Sequence, residues 1–316
     1  MIGLPFFNNG DKAGRMLTPP LEGLFGQTAE NPDGIAPVAG RFDGNHILVP
    51  LLTREIPPVL DQLKIATTLA RPRNASLTII NPGPVPEQTP VYDRPVTDSD
   101  DRALLDWAFE QTDDTPPHVN GDFLSTHDVV RGVLHAVRAR DVDTLVVPSG
   151  ARTGRLQKGV TERIAAHAAA DVVATNGRAG FEPPPSILLP VAGGPHSGLA
   201  ADVAATIATD CNAWIDILHV TGEDAPPRKR EQAESLVDDV SRRIARPEST
   251  TTWVHEATDI AEAIVEQSRY YGLTIIGAPT KDRLRQFIFG STNTSVRKNA
   301  ASVVLSVRNN SPPDAE

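Results

Sequence analysis

The sequence predicts an α/β chain made of two tandem open parallel five-stranded sheets, with helices on both faces of each. Three observations carry this expectation. Apolar runs of strand length alternate with longer stretches of helical periodicity over most of the chain. Strand and helix lengths suit a parallel sheet covered on both faces. The same Gly, Pro and Asp landmarks also return in the same order in the two halves.

The first forty or so residues are rich in Gly, Pro and Asn and show no sustained period, so residues 1–44 are read as an extended arm. Leu17, Leu21 and Phe25 are its apolar contacts. A first unit, 45–180, opens on a strand at His46–Pro50. A helix follows over Pro57–Ala70, with Val59, Leu63, Ala66 and Leu69 on one face, and then a strand over Ala75–Ile80. A Pro-rich loop from Pro82 to Pro95 leads to a helix at Arg102–Gln111, a strand at Gly121–Thr126 and a helix at Asp128–Arg140. The strand Thr144–Val147, the helix Thr161–Ala170 and the strand Asp171–Thr175 complete the unit.

The linker Phe181–Pro185 starts a second unit, 181–309, which is followed by a short tail, 310–316. Its strands are expected at Ser186–Pro190, Trp214–Val220, Thr250–His255, Leu273–Ile276 and Ser302–Val307. Its helices are expected at Ser197–Ala208, Arg228–Ile244, Asp259–Tyr271 and Ser291–Asn299. Ile47-Leu48-Val49-Pro50 repeats as Ile187-Leu188-Leu189-Pro190, and Asp128-Val129-Val130 as Asp259-Ile260-Ala261. Gly159 pairs with Gly290 and Val172-Val173 with Val303-Val304, at a spacing of roughly 130 to 140 residues, the scale of a duplicated domain.

Composition narrows the function classes. A hydrophobic fraction of 40% and a charged fraction of 22% suit a globular chain, and the formal net charge is −10. An acidic field repels nucleic-acid backbones and anionic lipid surfaces, so neither is an expected partner. A small phosphate ligand remains compatible, because a helix N-terminus holds an anion locally. The single cysteine, Cys211, excludes an internal disulfide and a Cys-based metal cluster. No stretch reaches the roughly 20 apolar residues of a membrane helix, so no membrane insertion and a cytoplasmic location are expected.

The segment Gly277-Ala278-Pro279-Thr280 through Phe289-Gly290-Ser291-Thr292 leaves a strand, crosses a loop and enters a helix. Its glycines allow close backbone approach, and the first amides of the helix are free for anionic oxygens. Ser291 and Thr292 add hydroxyl donors. This segment resembles the signature of the universal stress protein family, in which Gly, two residues, Gly, nine residues and Gly-Ser wrap the phosphates of ATP. Gly277, Gly290 and Ser291 match that pattern, and Thr280 stands where its middle glycine belongs. The resemblance runs from His46 to Val307 and implies the universal stress protein, or adenine nucleotide alpha hydrolase-like, fold.

The resemblance also implies a site. It comprises Pro190, Val191 and Ala192 after the first strand, Val220 at the end of the second, and Gly277, Pro279, Thr280, Gly290, Ser291 and Thr292 around the phosphates. The family's Asp after the first strand is Ala192 here, and Leu52 in the first unit. Gly193-Gly194-Pro195-His196-Ser197 adds a flexible loop facing the same crevice. In the first unit, Pro148 to Gly154 leads to Gly159-Val160, where Val160 removes the hydroxyl, so that pocket reads as degenerate.

The expected ligand is therefore ATP or AMP in the second unit, with Mg²⁺ arriving only on the nucleotide. Eight scattered histidines form no metal spacing, and no Ser/His/Asp or Cys/His arrangement occurs in a recognisable context. The chain reads as non-catalytic rather than as an ATP-hydrolysing enzyme. The alternative is a nucleotide-free regulatory module acting on a protein partner or a membrane transporter, with the arm as its docking segment. By the same resemblance, the two units are expected to pack on each other through their last strands, Asp171–Thr175 and Ser302–Val307, as the family's dimers do, and self-association is expected through the same strands.

Overall fold

The computed structural model describes residues 35–88, 99–112, 118–148, 159–176, 180–278 and 303–310. The first half runs β1 (His46–Pro50), α1 (Ile56–Ala70), β2 (Ser76–Pro84), α2 (Ser99–Glu110), β3 (Val119–Thr126), α3 (Val129–Ala139), β4 (Thr144–Pro148), α4 (Val160–His167) and β5 (Asp171–Thr175). The second runs β6 (Ser186–Pro190), α5 (Gly194–Cys211), β7 (Trp214–Thr221), α6 (Pro227–Ile244), β8 (Thr250–Glu256), α7 (Ile260–Gln267), β9 (Leu273–Gly277) and β10 (Val303–Arg308). The helix expected at 291–299, the contacts of Leu17, Leu21 and Phe25, and residues 89–98 of the Pro-rich loop lie outside the described residues.

The strands form one ten-stranded sheet in the order β3-β2-β1-β4-β5-β10-β9-β6-β7-β8, not two separate five-stranded sheets. Within each half the pairing is parallel, and the halves meet in one antiparallel pair, β5 with β10. Its register runs from Leu305 opposite Thr175 to Arg308 opposite Val172. The physical reason is edge satisfaction. Each half alone would end on a strand with an unpaired row of amides and carbonyls, and joining the two removes both edges. The expected packing of the two units through their last strands takes this form, and β5 and β10 each have neighbours on both sides within the chain.

One face of the sheet carries α1, α2, α5 and α6 over a single continuous core that includes Leu63, Leu105, Val203 and Val240. The other face has separate clusters, one under α3 and α4 and one under α7. The two halves are also tied by polar contacts. Arg71, just past α1, donates to Asp210 of α5 at 2.7 Å. Asp61 of α1, only 1% exposed, accepts from the amides of Gly180 at 3.1 Å and Phe181 at 3.0 Å, so the linker is pinned to the first half.

The repeated Asp landmarks prove to be helix caps. Asp128 accepts from the Arg131 amide at 3.0 Å, and this bond is the largest reason its carboxyl lies below the ordinary aspartate value. Asp259 accepts from Ala261 at 3.0 Å and Glu262 at 3.1 Å. The start of the Pro-rich loop is corrected: β2 continues through Pro82 to Pro84, paired with β3 as far as Thr126. Ile80 gives its carbonyl to Leu51 on the β1 side, so the missing amides of Pro82 and Pro84 fall on that same side. Pairing with β1 has already ended there at Ile80, so the prolines remove no ladder bond.

Candidate functional site

In the second half the strand order turns at β6, whose neighbours are β7 and β9. Parallel sheets bind ligands outside the carboxyl ends of strands at such a reversal. β6 and β9 are in register only at Ile187 with Leu273 and Leu188 with Thr274, so their carboxyl ends part beyond. Pro190, Val191 and Ala192 leave β6 there, Val220 is the last residue but one of β7 and Gly277 ends β9. Val191 and Val220 are buried and Ala192 is exposed, which makes an apolar floor with an open rim. Pro279, Thr280, Gly290, Ser291 and Thr292 lie outside the described residues.

The loop after β6 is held by its own polar groups. Val191 donates its amide to Leu218 at 2.8 Å, and Ala192 donates to Ser197 Oγ at 3.2 Å. Gly193 and Gly194 take left-handed φ values of 87° and 78°, which let the chain turn straight into α5. Gly277 has a packing role of its own, since a Cβ there would lie 3.0 Å from the His196 backbone.

Two histidines border this crevice: His196, in the loop expected to face it, and His219, which sequence reasoning left among the scattered ones. His196 Nδ1 accepts from the Asn309 amide at 3.1 Å, which puts its proton on Nε2. His219 Nδ1 donates to the Val191 carbonyl at 2.8 Å. Burial pushes both below the ordinary imidazole value, aided at His196 by the positive charge of Arg308. Both are therefore favoured as neutral rings in the folded chain. The unfolded chain binds the extra protons first, so stability is full above the ordinary imidazole value of 6.5 and falls as pH drops below it. Urea midpoints measured across the mildly acidic range below that value are expected to fall. His196→Asn, which keeps an acceptor for Asn309 without a titrating ring, should flatten the slope.

The corresponding crevice of the first half is bridged. β1 and β4 also part after two paired residues, Ile47 with Thr144 and Leu48 with Leu145. Across the gap lies Gln62 of α1, fully buried, donating to Pro50 O at 3.0 Å and Val146 O at 2.7 Å. Matching the left-handed residues Asn74 and Asn212, which end the equivalent helical segments, places Ala200 opposite Gln62. Matching the strand registers places Pro148, which has no amide hydrogen, opposite Gly277. Leu52, at the position of the family's carboxylate, is buried. The second half has only a methyl group where the first has a bridging amide. Nothing in the pattern of a buried helix face distinguishes Gln62 from an ordinary polar residue, so sequence reasoning missed it.

The arm contributes a second feature the sequence did not reveal. Residues 35–42 run along α5 as a strap, with Val38 in a parallel bridge to Gly194. The Gly194 amide donates to Ala36 O at 3.3 Å and Pro37 O at 3.2 Å. Lower down, Phe42 donates its amide to Asp202 at 3.0 Å, and Arg243 of α6 forks onto both Asp202 oxygens at 2.7 and 2.8 Å and also meets the Gly40 carbonyl. That ion pair holds the Arg243 guanidinium above its ordinary value. Among the described residues, no group of His, Cys, Asp and Glu is arranged to hold a metal ion, and no helix is long and apolar enough to cross a membrane.

Strand order, crossover crevice and helices on both faces define a doubly wound α/β protein of the kind that binds ligands at a strand-order reversal. Residues 185–308 match the model of the universal stress protein family. No curated protein matches the sequence. Three solved structures share the fold. A functionally unknown protein from Pseudomonas aeruginosa PAO1 is 16% identical, with a TM-score of 0.55 over 84% of this chain and 93% of that one. A universal stress protein from Archaeoglobus fulgidus DSM 4304 is 16% identical, with a TM-score of 0.50 over 84% of this chain and 98% of that one. The cytoplasmic domain of a prokaryotic cation chloride cotransporter is 11% identical, with a TM-score of 0.55 over 83% of this chain and 94% of that one.

Proposed function

We propose that the second half, residues 181–309, binds an adenine nucleotide, ATP or AMP, outside the carboxyl ends of β6, β7 and β9. The chain then acts as a non-catalytic stress-response sensor, while the first half, residues 45–180, serves as scaffold. One observation carries the reading: among the described residues, the second crevice has no counterpart of the bridge across the first, with Ala200 in place of Gln62. Gly277 at its mouth begins the sequence segment that resembles the family's phosphate loop and ends in Gly290-Ser291-Thr292. Pro190, Val191, Ala192 and Val220 face the base, Pro279 and Thr280 follow the first loop glycine, and Mg²⁺ enters only with the phosphates.

Equilibrium dialysis of the full chain with ATP and with AMP, each with and without Mg²⁺, tests this. Saturable binding supports it, and no binding at millimolar ligand removes it. Ala192 supplies a sharper check. It is exposed and stands where the family carries a carboxylate, so Ala192→Asp should fold normally. One restored hydrogen bond is worth about 1 to 3 kcal/mol, so ATP should bind about tenfold more tightly. The alternative, a nucleotide-free module acting on a membrane transporter, has the same fold as the cotransporter's cytoplasmic domain and is the reading left standing by a negative dialysis result.

A further inference from the structure

The described part of the strap begins beside the crevice of the second half, and its contacts there are weaker than those farther along α5. Ile35 and Ala36 press on Gly193, the residue after Ala192, so closely that a Cβ on Gly193 would collide with both. Among the described residues, the backbone bonds of this end are few and long. The Gly194 amide is shared between two carbonyls at 3.2 and 3.3 Å, the Ala39 amide reaches Gly194 O at 3.5 Å, and Val38 makes its single bridge. Beyond Gly40 the chain is firmly held, by the Arg243–Asp202 fork and by Phe42, which is 1% exposed. Gly40 itself sits at φ 80°, between the loose and the fixed parts, where a glycine tolerates rotation best. Gly198, one turn into α5, lets the strap lie flat, since its missing Cβ leaves room for the Ala39 carbonyl.

We propose that residues 35–39 form a built-in competitor of the nucleotide, hinged at Gly40, which covers the β6–α5 loop when the crevice is empty and swings away when it is filled. The proposal rests on the nucleotide reading above. A base seated on Val191 and Ala192 must share the loop surface with Ile35 and Ala36, so only the released form binds fully. The apparent affinity is then the intrinsic one reduced by the released fraction. Anything that lifts the strap without touching the crevice should tighten binding.

Gly198→Ala tests this cleanly. The added methyl group overlaps the Ala39 carbonyl, while alanine is a better helix former than glycine, so α5 itself is strengthened. Arg243→Met, which loosens the hold on Gly40 from another helix, is the second variant. Both full-length variants and the parent are compared by ATP dialysis and by hydrogen exchange of the peptide spanning residues 35–44. The expected result is faster strap exchange in both variants, ATP affinity raised on the order of tenfold, and faster strap exchange in the parent on adding ATP. Equal ATP affinity in all three chains, with the strap visibly loosened in the variants, overturns the competitor and leaves the nucleotide reading intact. Weaker binding in the variants also overturns it, by making the strap a wall of the site. Absence of ATP binding in every form, variants included, removes the nucleotide reading and the competitor with it.

Discussion

Replacing Val307 with aspartate is expected to destabilise the chain by about 4 kcal/mol or more, because it puts a carboxyl into apolar surroundings with no partner. Val307 is fully buried and pairs with Val173 across the antiparallel seam and with Gly277 on the other side. The core it enters runs unbroken beneath α1, α2, α5 and α6. Damage at the seam should therefore reach both halves. In urea, the transitions seen by circular dichroism and by tryptophan fluorescence should move together to lower denaturant. Two transitions, with one half left at its original midpoint, would mean that the halves fold independently.

Phe42→Ala should cost about 3 to 5 kcal/mol, the usual range for deleting a buried aromatic ring. Phe42 is 1% exposed, and the Arg73 guanidinium lies over its ring at 4.7 Å. Its environment draws on both halves, since Arg73 follows α1 while Asp202, which receives the Phe42 amide, belongs to α5. A cavity here weakens the fixed end of the strap as well as the fold. Chemical denaturation measures the first effect, and hydrogen exchange over residues 35–44 measures the second. A loss below about 1 kcal/mol would mean the site collapses around the gap more completely than packed interiors usually do.

Much of the architecture is legible in the residues themselves, and the reasons are local. Val, Ile and Leu runs such as Ile187-Leu188-Leu189 mark strands buried on both faces, and Asp128 and Asp259 mark helix starts because a carboxylate caps free amides. What is not legible there is non-local. The meeting of β5 and β10 is expected only through the family resemblance, and its antiparallel register is written in no residue, because the partners lie far apart in the chain and no turn joins them. The continuation of β2 through two prolines depends on which side of the ladder they face, and that is set by where β1 stops. The strap is legible only as an arm, since its grip on α5 uses backbone carbonyls against glycines rather than a patterned side-chain face.

The site divides in the same way. Pro190, Val191, Ala192, Val220 and Gly277 stand at the carboxyl ends of three neighbouring strands, as the strand pattern of the sequence implies. Gln62 could not be singled out, because one amide within a buried helical stretch becomes informative only when both carbonyls it bridges are seen. His196 and His219 gain meaning from the partners that fix their tautomers, Asn309 and Val191. None of these partners is close in sequence to the histidine it holds.

Hydrogen exchange of the full chain with and without saturating ATP puts the nucleotide proposal to the most direct test. Slower exchange over residues 188–194, 218–222 and 277–292, with residues 48–54 and 80–86 unchanged, is the result expected if the second crevice alone is open. Equal protection of both sets, or protection of neither, would contradict it.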